Sequence, residues 1–292
     1  MYKSTWLVIG LIWMTSICGT TICGTVQAAE EQVVRLNAAS GAKADYVIDL
    51  LNLAFANIDT SYRIEKDLTP STQSRITEEV QAGNLDLMWV STSQTYERDF
   101  IPIRIPLLKG LLGYRILLIR AGEQQKFDAI HTKDDLTNII FGQGRTWADA
   151  GILEANGLKV IKTTKSPGLF HMLDGGRFDA FPRGASEPFA EIKKYPELKL
   201  AVEKNLLLAY KMPFYIFVNK NKPALAADIE RGLNQAITTG EFDTIFLQNP
   251  TVKDVQEFAN LSQRRIIYLD NPTLPPQTPI DRAELWIDPQ TF

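Results

Sequence analysis

The chain has 292 residues, 45% of them hydrophobic and 22% charged, with a formal net charge of −3 at pH 7. That balance suits a globular chain with ample core and argues against a nucleic-acid partner, which selects for a basic surface. With two cysteines and two histidines, thiolate metal sites and thiol catalysis have little material to draw on.

At the N-terminus a single Lys3 precedes the apolar run from Trp6 to Met14, and the segment closes with Thr25-Val26-Gln27-Ala28-Ala29 ahead of Glu30 and Glu31. This is the pattern of a cleaved secretory signal peptide over residues 1–28. The apolar run falls short of the roughly 18 residues a spanning helix needs, so a freely diffusing monomer in the periplasm is expected. Cys18 and Cys23 both lie in this segment, each after an isoleucine rather than the small residue that lipid attachment favours. Cleavage removes one base, Lys3, and no acid, and moves the formal charge from −3 to −4.

Next comes a short strand, Val33 to Leu36, then apolar positions Val47, Leu50, Leu51, Ala54, Phe55 and Ile58 at the spacing of a core-facing helix. Tyr62 to Ile64 reads as a strand, Ser71 to Ala82 as a helix stopped by Gly83, and Leu85 to Val90 as a buried strand. Strand alternating with helix predicts a parallel sheet. A second alternating unit follows. Its strands are Tyr114 to Ile119, Asn138 to Phe141 and Lys159 to Lys162, its helices lie near Trp147 to Asn156 and Leu169 to Leu173, and Asp179-Ala180-Phe181 leads into Pro182-Arg183-Gly184. Phe214 to Val218 is again strand-like, and Leu225, Ile229, Leu233, Ala236 and Ile237 mark a long helix ended by Gly240.

Two such units joined by long strands predict an α/β fold of two lobes. Residues 29–112 and 214–260 would form lobe 1 and 113–213 lobe 2, while the proline-rich 261–292 would pack on lobe 1 as an extended C-terminal segment. Ligands bind beyond the carboxyl ends of such strands, here Ser91 to Ser93, Gln143 to Arg145 and Pro182 to Gly184. The first of these ends carries the most chemistry. From Asp86 to Arg98 an apolar strand runs into Ser91, Thr92, Ser93 and Thr95, and Arg98 offers a planar fork suited to a carboxylate. The same residues also read as a strand followed by a capped helical turn, with Thr95 as cap and Arg98 in a surface ion pair.

The run Asp86, Ser91, Ser93, Thr95, Arg98 resembles the bacterial periplasmic solute-binding proteins of family 3, the polar amino acid binding components of ABC transporters. The returning segment is similar too, with Tyr215-Ile216-Phe217-Val218, then Lys220-Asn221-Lys222-Pro223, then the helix to Gly240. The resemblance implies a type II, Venus-flytrap periplasmic binding protein with two hinge-crossing strands. It implies that Arg98, Ser93 and the backbone of Ser91 hold a ligand carboxylate. The turn Gln143-Gly144-Arg145-Thr146 would favour an anion at a helix N-terminus, which adds Gly144, Arg145 and Thr146 to the expected ligand-binding set. Trp89 and Trp147 sit beside this site as core or stacking residues.

Two departures from the family pattern bear on the ligand. Where amino acid binders place an aspartate for the ligand ammonium, this chain has Gly184 preceded by Arg183, with Glu187 close enough in sequence to substitute. The loop Asn37 to Lys43 lacks the aromatic residue that packs over the ligand side chain, a role left to Tyr46 or Trp89. Arg98, Arg145 and Arg183 facing one cleft would favour an anionic solute; Arg183 paired with Glu187 or Asp179 would be structural. The expected ligand is therefore a small anionic or amino-acid-like molecule, presented to a membrane permease or a sensor protein. No cofactor, metal or catalytic group is expected. The alternative is a periplasmic lyase of the cyclohexadienyl dehydratase type, for which Glu187 and Asp86 are the candidate acids.

Overall fold

In the computed structural model the described residues are 1–2, 31–164 and 167–292. The expected signal peptide, from residue 3 onward, lies outside them. No helix among the described residues is long and apolar enough to cross a membrane.

The first lobe begins with β1 (Gln32–Asn37), α1 (Ala42–Ala56), β2 (Tyr62–Asp67), α2 (Gln73–Ala82), β3 (Leu87–Ser91), α3 (Gln94–Asp99) and β4 (Ile101–Ile103). Every apolar position assigned to the first helix from Val47 to Ala54 is buried in α1. Strands β1 and β2 pair in parallel, as strand–helix alternation predicts, but β3 does not extend their ladder. The backbone N–H of Arg35 donates instead to the Asp86 carboxylate at 2.7 Å, while the N–H of Asp86 donates to the Arg35 carbonyl at 2.8 Å. A side chain thus stands in for a main-chain acceptor where β1 meets β3. Asp86 is fully buried and bound by Arg35 and Lys222.

The second lobe holds β5 (Tyr114–Arg120), α4 (Gln124–Asp128), β6 (Ile140–Gly144), α5 (Ala148–Ala155), β7 (Lys159–Thr163), α6 (Gly168–Asp174), β8 (Ala180–Gly184), α7 (Pro188–Ile192), β9 (Leu200–Val202) and β10 (Leu206–Ala209). The chain then returns to the first lobe as β11 (Phe214–Val218), α8 (Pro223–Thr239), α9 (Glu241–Gln248) and α10 (Pro250–Asp254). Strand β11 lies between β3 and β4, antiparallel to both, and all five of its residues are buried.

The C-terminal segment departs from expectation. Rather than packing wholly on the first lobe, it forms β12 (Arg265–Tyr268), which pairs in parallel with β10 at the edge of the second lobe's sheet, ordered β12-β10-β5-β8-β6-β7 with β9 on β5. Only then does it return to the first lobe. Leu285 enters the core that contains Leu107 and Leu111, the Ile287 N–H donates to the Lys109 carbonyl at 3.0 Å, and Phe292 lies against Phe246. Alongside the two expected crossings, β4 to β5 and β10 to β11, the described chain therefore passes between the lobes twice more. One apolar cluster runs through the junction, with Ile103 and Leu107 on one side and Ile116 and Leu207 on the other.

Candidate functional site

A cavity of about 490 Å³ lies beyond the carboxyl ends of β1, β3, β6 and β8. Asn37 closes β1 and Ser91 closes β3; Trp147 and Asp149 follow β6, and Arg183 sits near the end of β8. Ligand sites form at such strand ends because the following loops are free to carry polar groups. The first lobe also contributes Lys43 from the opening turn of α1, and the crossing segments contribute Leu112, Met212 and Phe214.

Five of the residues singled out from sequence line this cavity: Trp89, Ser91, Trp147, Arg183 and Glu187. Arg183 runs beside two rings, with its guanidinium carbon 5.1 Å from the Trp147 centroid and 4.9 Å from that of Phe181. Its fork donates to both Glu191 oxygens, at 2.6 and 2.7 Å, and lies 3.2 Å from Glu187. Asp179, the other partner considered for it, binds Lys126 and Arg120 instead. Burial opposes the charge on Arg183, but Glu191 and Glu187 outweigh it and raise its pKa.

Arg98 does not reach the cavity. It stands on α3 with 69% of its side chain exposed, held by Asp99 at 2.8 and 3.0 Å. Ser93 caps that helix, its hydroxyl accepting from the Tyr96 N–H at 3.2 Å. The carboxylate grip expected at this strand end is thus a capped helical turn with a surface ion pair, and its cap is Ser93 rather than Thr95.

The glycine turn departs in a different way. A Cβ on Gly144 would fall 2.5 Å from the Trp147 indole, so glycine at this position seats a ring. Arg145 and Thr146 are exposed, and the Arg145 N–H already donates to the Thr163 carbonyl at 2.9 Å. A backbone donor spent in this way cannot also cradle an anion. Trp147 stacks on Phe181 at 6.2 Å and presents to the cavity.

Sequence reasoning passed over Arg115, Asp149 and Lys43. Arg115 interrupts the apolar run of β5, and a charge in a buried strand demands a partner. That signal was visible; the partner's identity was not. Its guanidinium donates to the Tyr210 hydroxyl at 2.9 Å and pairs with Asp149 at 2.8 Å, and Tyr210 closes the triangle by donating to Asp149. Burial disfavours the Arg115 charge, but Tyr210, Asp149 and Glu187 raise its pKa overall; burial raises that of Tyr210. Both groups keep their protons at neutral pH.

Arg115 faces Gly184 across the β5–β8 ladder. Glu187 fills the space beside them: its carboxylate accepts the Gly184 N–H at 2.6 Å and would lie 3.1 Å from a Cβ at residue 184. Lys43, 5.8 Å from the Phe214 centroid, has no carboxylate partner among the described residues. The cavity therefore carries three cations, Lys43, Arg115 and Arg183, and two carboxylates, Asp149 and Glu187. Asp86, the other candidate acid, is outside it. Burial would raise the Asp86 pKa, but hydrogen bonds from Lys222 and Arg35 hold it below the usual carboxylate range, so it is ionised and cannot act as a general acid.

No family model matches the sequence, and no curated protein matches it either. Solved structures do. The probable amino-acid ABC transporter extracellular-binding protein ytmK of Bacillus subtilis is 16% identical, with 77% of this chain and 100% of that one aligned at a TM-score of 0.57. The BvgS VFT2 domain of Bordetella pertussis is 16% identical over 75% of this chain and 93% of its own, at 0.53. A structure concerned with glutathione import via GshT and the cystine ABC importer TcyBC of Streptococcus mutans is 12% identical over 77% and 99%, at 0.51. At these identities the likeness is one of fold. The chain thus has the two-lobed α/β Venus-flytrap fold, the fold implied by its resemblance to the family 3 solute-binding proteins.

Proposed function

We propose that this chain is a periplasmic solute-binding protein that captures a small amino-acid-like or anionic molecule between its lobes and presents it to a membrane partner, an ABC permease. The observation that carries this reading is the cavity at the strand ends, whose walls come from both lobes and bear charges of both signs. A solute touching both walls favours the state in which they meet, because only contacts that differ between states shift an equilibrium. Glu187, standing where an acid at residue 184 would stand, suits a ligand ammonium, and Lys43 suits a carboxylate across the cavity. The transporter-linked names of two of the similar structures support a permease over a sensory partner.

The test is a thermal-shift screen of the exported, purified chain against amino acids, dicarboxylates, keto acids and peptides, with each hit titrated by calorimetry. Ligand at about 100 times its dissociation constant adds roughly 2.7 kcal/mol, which for a chain of this size raises the melting temperature by about 5–10 °C. A hit recovered unchanged after long incubation supports capture. A hit that is consumed supports the lyase reading, and silence across the whole set counts against solute binding.

A further inference from the structure

We infer that the captured solute carries an apolar arm, of about the size of a phenyl or branched alkyl group, which seats in a second chamber opening off the main cavity. This rests on the solute-binding reading above and narrows the class of solute. The chamber has a volume of about 260 Å³ and shares Lys43, Leu112, Glu187 and Phe214 with the main cavity, so the two adjoin across those side chains. The charged members of its wall, Lys43 and Glu187, both belong to that shared rim.

Beyond the rim most of the wall is apolar, with Ser186, Asn249 and Thr251 as its polar members. Leu108, Leu111 and Ala185 are buried there, and Tyr46 turns its hydroxyl away to donate to the Leu107 carbonyl at 2.5 Å. Asn249 is also engaged, its side-chain oxygen accepting the Thr251 N–H at 2.8 Å at the start of α10. Ser186 and Thr251 supply the remaining hydroxyls. For scale, an apolar cavity of about 150 Å³ already accepts a benzene ring. Charge at the neck and hydrocarbon beyond it fit a solute whose ionic head stays in the main cavity while its arm points into the chamber. The segment from Leu108 to Leu112 belongs to a crossing between the lobes, so an arm seated there also touches the chain that joins them.

The experiment is calorimetry on the full exported chain with two series of fixed head group: glycine, alanine, norvaline, leucine and phenylalanine, and acetate, butyrate, hexanoate and 3-phenylpropionate. Affinity is expected to rise roughly fourfold per added methylene in the series that binds, until the chamber is full. In Ala185→Leu and Leu108→Phe, which fill the chamber from different walls, the ratio between longest and shortest members should collapse. Melting curves establish which variants fold, and either one suffices. Binding with no dependence on arm length overturns the arm and leaves the solute-binding reading standing, as does a dependence that survives unchanged in a folded filling variant. Failure of every member of both series to bind overturns the arm; the solute-binding reading falls only if the wider screen with dicarboxylates, keto acids and peptides is silent as well.

Discussion

The Glu187 carboxylate lies 3.1 Å from the point where a Cβ on Gly184 would begin, and accepts the Gly184 N–H at 2.6 Å. A glycine at the end of β8 thus leaves room that a glutamate three residues later fills, and negative charge is restored at a position from which the sequence had removed it. Glu187→Gln should weaken an amine-bearing solute roughly ten- to hundredfold, the worth of a charge-assisted hydrogen bond, while the matching carboxylate without the amine keeps its affinity. Adding Gly184→Asp to that variant should restore part of the loss, since the atom nearest a new Cβ, at 3.1 Å, is at the side-chain end of residue 187, which can swing aside, while the fixed Arg115 guanidinium stands at 3.3 Å. Calorimetry with alanine and propionate, or with the best pair from the screen, reads both effects.

Arg98 makes the opposite prediction. Its ion pair with Asp99 is solvent-exposed, and such pairs contribute little. Arg98→Ala should leave solute affinity within about twofold and the melting temperature almost unchanged. A loss of binding in this variant would return the carboxylate grip to the end of β3.

The buried pair Arg115–Asp149 should be costly to break and cheap to replace. Both side chains are more than nine-tenths buried, so Asp149→Ala strands a guanidinium beside Tyr210. A penalty of about 3–5 kcal/mol is expected, a fall in melting temperature on the order of 10 °C. Replacing both residues with leucine should recover most of that stability while abolishing any binding that uses the Arg115 charge. Parallel melting curves and titrations separate the two roles.

Asp86 ties part of the stability to pH. Its folded pKa is lowered by Lys222 and Arg35 against the opposing effect of burial, so its contribution is fully present above the unfolded value, about 3.9, and is lost as pH falls through the folded one. Asp86→Asn should therefore be less stable than the parent at pH 7, and the gap should narrow on acidification below about pH 4. Thermal melts at pH 7, 5 and 3 would show it; a gap that stays constant would remove Asp86 from the acid response.

Much of this architecture follows from patterns along the chain. Apolar spacing placed α1 and α8, largely apolar runs placed β3, β5 and β11, and Gly83 and Gly240 marked helix ends, because burial on one face imposes a period that local sequence records. Trp89, Ser91, Arg183 and Glu187 were within reach for the same reason: they lie in the last residues of buried strands or just beyond them, and chain continuity carries them to the strand ends. What only the tertiary structure decided is which way the long charged side chains turn and what they meet. Arg98 and Arg115 each offer the same fork, yet one pairs with its neighbour Asp99 in solvent while the other is sealed against Asp149 and Tyr210, at sequence separations no local pattern encodes. The C-terminal segment teaches the same lesson. Its short, proline-punctuated sequence shows no period, and its path was decided by the unpaired edge of β10 and the core around Leu285, both of which exist only once the lobes have formed.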